Sequence, residues 1–514
     1  MLLNTIHANK IITIFGPPGT GKTTRLLNIV EEELKNGTAV DRIGYFAFTK
    51  KAAREAITRA TLKFNLDKKD FKYFRTLHSL AYNHLNLKPG DVMGDGHYRD
   101  VSDWLQLKLY NPNKTVDELG VSLPKDPYLN LIDKSKICGT SLMNQFANSC
   151  IHIEGGYEKL SYIDKGLKQF KQKHKIFDYT DMLLEFIKQN NAPKLDVVII
   201  DEAQDLSLIQ WQVVEQLIRK AKRAYIAGDD DQAIFNWAGA DIGRLNKIGG
   251  KREILDQSYR IPKKIHTLAH RIITPVQDRV EKEWKPRSVD GSVSYHRTRL
   301  NSTMDITNGT WLILARTNYL LDQIADELKI RGLFFERYNR SSVPEKMLNA
   351  IIGWKTLQEA GTIPFKVLKD MYYYMSGNNH ITHGFKDLKG ANEEKEYQHE
   401  DLVLHHGLNV SLEREWFVAL DNIPESQQIY INAALRQQKD FNVSKNIKLS
   451  TIHGAKGGEA DNVMLLTDLP KKVDDNYFVQ QDDERRVFYV GVTRAKKSLH
   501  VLESESTREF KEIF

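Results

Sequence analysis

"GPPGTGKTT", Gly16 to Thr24, follows the apolar, β-branched run "IITIF" (11–15) and precedes a stretch with apolar residues at Leu26, Leu27, Val30 and Leu34. The order strand, glycine-rich loop, amphipathic helix decides the fold class. Residues Gly16, Pro17, Pro18, Gly19, Thr20, Gly21, Lys22 and Thr23 fit G-x-x-x-x-G-K-[ST], the Walker A phosphate loop. Its glycines let backbone N–H groups turn inward on phosphates, and the helix start adds the positive end of its dipole. Lys22 then reaches the β- and γ-phosphates of a nucleotide. The Thr23 hydroxyl is placed to ligate Mg²⁺, and Thr24 closes the loop. The stretch reads as an NTP site, with ATP and Mg²⁺ as expected cofactors.

A second segment, "KLDVVIIDEAQDLS" (194–207), completes that chemistry. A continuous apolar run of four residues reads as a strand buried on both faces, which delivers Asp201 and Glu202 at its carboxyl end. Asp201 suits the metal's water shell. Glu202 suits positioning and deprotonating the attacking water, which favours hydrolysis over transfer to a small acceptor.

Similar short runs recur at 43–48, 224–227, 311–314, 447–451 and 463–466, several separated by helix-length amphipathic stretches. Alternating buried strands and helices predict parallel α/β sheets. Residues 79–176 and 341–440 break the rhythm and read as mainly helical insertions. The chain has 514 residues, a formal net charge of +7 and two cysteines, Cys138 and Cys150, with no C-x-x-C pair. Disulfide frameworks and zinc sites are not expected, and the mild positive balance permits a polyanionic partner. No apolar run has the ~18 residues a membrane span needs, and "MLLNTIHANKIITIF" lacks the pattern of a secretory leader. A cytoplasmic protein without a membrane partner is expected.

Further segments follow in order: "FAFTKKAAREA" (46–56), "RTLHSLA" (75–81), "FDYTDML" (177–183), "GDDDQAIFNWAGA" (228–240), "LDQSYRIP" (255–262), "STIHGAKGGEADNV" (450–463) and "ERRVFYVGVTRAKKSL" (484–499). Together with the phosphate loop they resemble the superfamily 1 DNA helicases of the UvrD/Rep/PcrA type over nearly the whole chain. The resemblance implies two RecA-like P-loop NTPase domains carrying two inserted subdomains. The first domain comprises 1–78 and 177–262 around an insertion at 79–176. The second comprises 263–340 and 441–514 around a reduced insertion at 341–440. It further implies 3′→5′ movement on single-stranded DNA, coupled to duplex unwinding, with ss/dsDNA junctions and replication or repair proteins as partners and a monomer in solution.

Roles carry over onto matching positions. Gln232 resembles the γ-phosphate sensor, and Arg260 and Arg494 resemble arginine fingers that neutralise developing charge. The first domain is expected to supply Asp201, Glu202, Gln232 and Arg260, the second Glu459 and Arg494. Tyr259 resembles the adenine-stacking residue and Glu459 the ribose contact. Phe48, Phe235 and Trp237 resemble base-stacking residues, although Phe48 and Trp237 read equally as core aromatics from their type alone. Thr49, Lys51, Thr76, His78, Thr451 and His453 resemble DNA-phosphate or coupling contacts, with structural imidazoles as the alternative for the two histidines. The pattern departs in four places: "MLLNTIHANK" keeps Leu3-Asn4 but has no glutamine, Thr24 precedes Arg25, Ala238 stands where an arginine is common, and Gly458 where a leucine is usual. The same motifs would serve a translocase that strips proteins without unwinding, or an RNA-directed motor.

Overall fold

The computed structural model describes residues 8–109, 126–149, 153–297, 304–338, 340–377, 379–437 and 446–514. Leu3-Asn4 and Cys150 lie outside the described residues. The chain forms two compact units, residues 1–292 with 475–497 and 512–514, and residues 293–474 with 498–511. The segment that carries Arg494 therefore groups with the unit that holds the phosphate loop.

The first unit is built on a six-stranded sheet of β1 (Ile11–Phe15), β2 (Ile43–Phe46), β3 (Phe74–Arg75), β4 (Val197–Ile200), β5 (Arg223–Gly228) and β6 (Lys251–Ile254). Their spatial order is β3-β2-β4-β5-β1-β6, and every pair is parallel. The sequence of β4 explains why. Val197 and Ile199 enter one core with Ile14, Leu26 and Tyr45, while Val198 and Ile200 enter the opposite core with Phe46, Trp211 and Phe186. A strand buried on both faces has no polar alternation, which is how parallel sheets are covered by helices. The run expected over 43–48 stops as a strand at Phe46, because Thr49 already caps the helix Lys50–Phe64. Helices Asp95–Leu105, Pro127–Ile137, Leu142–Ala147 and Gly156–His174 interrupt the first unit with a separate apolar core.

The second unit carries a seven-stranded sheet of β7 (Ser292–His296), β8 (Trp311–Ala315), β9 (Glu336–Arg337), β10 (Arg340–Ser341), β13 (Ile447–Thr451), β14 (Ala460–Leu466) and β15 (Ala495–Leu502). Its order is β10-β9-β13-β8-β14-β15-β7, with β13 and β14 both parallel to β8. Between β10 and β13, helices such as Glu345–Gln358 and Phe365–Tyr374 enclose Trp354, Tyr372 and Trp416 in their own core, beside a hairpin of β11 (Ile363–Pro364) and β12 (Glu396–Tyr397). Among the described residues no helix is long and apolar enough to cross a membrane.

Candidate nucleotide and DNA site

The candidate site residues of the first unit lie at the carboxyl edge of its sheet, where open α/β sheets place their ligands. β1 runs into the phosphate loop, and Gly16 N–H donates to Gly228 O at 3.1 Å, which ties that loop to the end of β5. Gly19 and Gly21 adopt left-handed φ values of 74° and 80°, a conformation glycine takes without strain. A Cβ at Gly16 would stand 2.1 Å from Lys22 Cγ, so the lysine stem fills the space a side chain would need. Lys22 Nζ donates to Gly16 O at 2.6 Å, and Thr20 Oγ1 to Pro17 O at 2.8 Å. Helix Lys22–Lys35 begins at once, with Gly21 as its cap, so its N–H end faces the loop. Thr24 is exposed, and its hydroxyl accepts from Arg59 at 2.8 Å.

The acidic pair sits as β4 directs it. Thr23 Oγ1 donates to Asp201 Oδ2 at 3.5 Å, and Tyr45 Oη donates to the same oxygen at 2.7 Å. Burial and the neighbouring Glu202 charge push the Asp201 carboxyl up to about 6. Two opposing oxygen donors on Thr23 and Asp201 form an all-oxygen set of the kind a hard divalent cation takes. Glu202 adopts φ 55°, an unusual left-handed value for a non-glycine residue. Gln204 Nε2 donates to Glu202 Oε2 at 2.5 Å, and Gln204 Oε1 accepts Asp229 N–H at 3.0 Å. Gln204 and Tyr45 are partners the sequence reading missed. Gln204 lay inside the quoted acidic motif, whereas Tyr45 looked like any core aromatic.

Gln232 and Arg494 meet. Asp229 Oδ2 accepts from Gln232 Nε2 at 2.7 Å, and Gln232 Oε1 accepts from Arg494 Nη2 at 2.9 Å. Arg494 is 1% exposed and also donates through Nε to Val490 O at 2.9 Å. Arg260 arrives by another route. Ser258 Oγ donates to Pro18 O at 2.7 Å, and Tyr259 N–H donates to Gly19 O at 2.8 Å, so "QSYR" is latched onto the phosphate loop. The Tyr259 ring is exposed, beside a cavity of about 630 Å³ lined by Gln257, Ser258, Lys285, Pro286 and Arg287.

Beside this set lie the expected DNA contacts of the first unit. Thr49 and Thr76 each end a loop after β2 or β3 and cap a helix, accepting from Ala52 N–H at 3.0 Å and Ser79 N–H at 3.2 Å. A hydroxyl that accepts a backbone N–H keeps its own hydrogen for a phosphate. Lys51 is exposed on the first turn after Thr49. Trp237 is 36% exposed, but Phe235 is 2% exposed, lying between Trp237 at 6.4 Å and Phe48 at 5.8 Å between ring centres. Phe235 is thus not an open platform of its own, contrary to the sequence expectation. It supports the neighbouring rings. Burial and nearby Lys50 push His78 down to about 4, so its imidazole is neutral near pH 7 and can offer an N–H but no charge. In the second unit, Thr451 ends β13 and its hydroxyl accepts Gly454 N–H at 3.0 Å, with turns rather than a helix after it. His453 is half-buried in the following turns, and Glu459 is exposed just before β14.

The profile of the UvrD/REP helicase N-terminal domain matches residues 3–252, and that of the UvrD-like helicase C-terminal domain matches residues 380–506. The chain belongs to the UvrD/Rep helicase family. Within it, a protein named probable DNA helicase II homolog from Rickettsia conorii is 24% identical, across 99% of this chain and 92% of the relative. The ATP-dependent DNA helicase PcrA of Bacillus subtilis is 26% identical across 57% of this chain and 42% of the relative. The ATP-dependent DNA helicase srs2 of Schizosaccharomyces pombe is 27% identical across 56% and 36%. The two UvrD-type profiles between them include the phosphate loop, Asp201, Glu202, Gln232 and Arg494, whereas Tyr259 and Arg260 fall between the matched ranges.

Proposed function

We propose that this chain is an ATP-dependent DNA helicase that moves 3′→5′ on single-stranded DNA and couples ATP hydrolysis to duplex separation. The observation that carries the reading is one hydrogen-bonded set, Glu202–Gln204–Asp229–Gln232–Arg494, beside the phosphate loop and next to the exposed Trp237. Family membership and relatives named ATP-dependent DNA helicases support it. Polarity follows the family.

Lys22 and the loop N–H groups hold the β- and γ-phosphates, and Thr23 with Asp201 would hold Mg²⁺. When bound, that ion neutralises charge on the phosphoryl oxygens. Glu202, oriented by Gln204, aligns water and accepts its proton. Gln232 and Arg494 stabilise charge on the transferred group, and Arg260 approaches from the loop latched at Gly19. Trp237 stacks a base, while Thr49 and Thr76 grip phosphates from helix N-termini.

The test is steady-state ATP hydrolysis with and without single-stranded DNA, beside Glu202→Gln and on strands of DNA and RNA. DNA-stimulated turnover that the variant abolishes, followed by unwinding of 3′-tailed duplexes only, is the expected result. Turnover indifferent to DNA, or stimulated by RNA alone, would overturn the reading. ATP-driven protein displacement without strand separation would assign a translocase instead.

A further inference from the structure

Residues 278–284, "DRVEKEW", form an irregular segment beyond helix Lys263–Ile273. On sequence they look like solvated surface charges. Instead Lys282 is wholly buried, its side chain 0% exposed. Its ammonium lies 3.3 Å from Asp229 Oδ1 and 3.0 Å from Asp231 Oδ2, and it donates to Asp230 Oδ1. All three aspartates of "GDDDQ" are therefore gathered on one cation. Arg279 adds a two-pronged bond to Asp231 at 2.8 and 2.7 Å, and Val280 N–H donates to Asp230 Oδ2 at 2.6 Å. Arg486 donates to Asp230 O at 3.2 Å and to Asp278 O at 2.7 Å.

Asp229 is the branch point. Its carboxylate holds the Gln232 amide, and its N–H is held by Gln204, which in turn holds Glu202. Burial favours the neutral form of Asp229, and Lys282 opposes that effect. The γ-phosphate sensor is thus referred to a carboxylate whose nearest cation is Lys282, and the hydrolytic glutamate, through Gln204, to the backbone N–H of the same residue. A buried carboxylate that loses its cation must take up a proton or turn toward another donor. Either change alters how it presents the Gln232 amide.

We propose that Lys282 is a positioning residue for ATP hydrolysis, acting through the Asp229 carboxylate to hold Gln232 against Arg494. The assignment rests on the ATPase reading above.

The test compares Lys282→Met, Lys282→Arg, Gln232→Ala and the double variant Lys282→Met/Gln232→Ala in the full chain. Two readouts are used: kcat and KM for ATP, and the ratio of ADP to ATP-analogue dissociation constants, using a non-hydrolysable analogue. Lys282→Met should lower kcat at least 10-fold with KM changed less than 3-fold, and Lys282→Arg should recover most of it. The double variant should be no slower than Gln232→Ala alone, and Lys282→Met and Gln232→Ala should reduce the affinity ratio equally. If Lys282→Met does not fold, Lys282→Met/Asp230→Asn removes the charge pair together and should show the same reduced ratio. A kcat within 3-fold of the parent, losses that multiply with Gln232→Ala, or an unchanged affinity ratio would overturn the proposal. The ratio needs no turnover, so a parent chain that hydrolyses no ATP refutes the ATPase reading while the ratio still decides the role of Lys282 in nucleotide sensing.

Discussion

Arg494 Nη2 reaches Gln232 Oε1 over 2.9 Å inside one compact unit, although 262 positions separate them in the chain. The arginine is 1% exposed, so its charge depends on this bond and on carbonyl and hydroxyl acceptors from its own turn, Val490 O and Thr493 Oγ1. Hydrogen bonds to a charged group contribute about 1.5–3 kcal/mol each in mutational series. Arg494→Ala should therefore abolish DNA-stimulated ATP hydrolysis and lower unfolding stability by about 2 kcal/mol. Urea denaturation followed by circular dichroism measures the second effect. An unchanged midpoint would mean that the buried bond contributes nothing to the fold.

The capping threonines separate structural from contact roles. Losing a threonine cap costs about 1 kcal/mol, and both Thr49 and Thr76 cap helices. Thr49→Ser and Thr76→Ser keep the hydroxyl and should retain both stability and DNA affinity. The corresponding alanine variants should lose about 1 kcal/mol of stability and weaken single-strand binding several-fold. Fluorescence anisotropy with a labelled oligonucleotide checks the second point. Serine variants as weak as alanine would exclude a hydroxyl contact.

Trp237 and Phe235 should behave oppositely. Trp237→Ala removes an exposed ring and should weaken single-strand binding by about 1–3 kcal/mol, the range for one base–aromatic stack, with little change in melting temperature. Phe235→Ala empties a buried site between Phe48 and Trp237 and should cost about 3–5 kcal/mol of stability. Equal thermal shifts for the two would contradict their different burial.

These contrasts show what the sequence could convey. Strand β4 was legible to the residue, because four consecutive apolar residues between a polar turn and Asp201 admit few alternatives. The roles of Lys22, Asp201 and Glu202 rested on residue types at fixed offsets from a strand, a local signal. Burial was not local. Phe235 and Trp237 are two positions apart in one motif, and only the fold sets one inward and the other outward. Lys282 was invisible for the same reason, since its partners lie some 50 residues earlier and a lysine in a charged stretch reads as solvated. The two-residue strand β3 and the edge strand β6, "KREI", were missed because neither carries a run of apolar residues.

His78 gives a pH test with a definite sign. Its folded pKa is pushed from 6.5 to about 4 by burial and by Lys50, and its ring lies edge-on to Tyr179 at 6.1 Å. A histidine with a depressed pKa contributes stability that is present above 6.5 and is lost as pH falls toward 4, because the unfolded chain takes up the proton first. His78→Asn should therefore lose less stability than the parent between pH 6.5 and 4. Single-strand affinity of parent and variant should run parallel from pH 6 to 8. A step near pH 6.5 in the parent alone would show a charged imidazole on the DNA.

Gly19 and Gly37 isolate the cost of the latch between "QSYR" and the phosphate loop. Both glycines have left-handed φ values, 74° and 84°. A Cβ on Gly37 meets nothing within 4 Å, whereas one on Gly19 would stand 2.3 Å from Arg260 Cβ and 2.9 Å from Ser258 Oγ. Gly37→Ala should cost only the backbone penalty, about 1 kcal/mol. Gly19→Ala must also displace Arg260 and break the Tyr259 N–H to Gly19 O bond or the Ser258 to Pro18 bond. It should lose more stability than Gly37→Ala and, because Arg260 moves with the latch, lower kcat for ATP as well as raise KM. Calorimetric melting and steady-state kinetics of the two variants decide the matter. If Gly19→Ala melts with Gly37→Ala and keeps the parent kcat, the close approach is not what places Arg260.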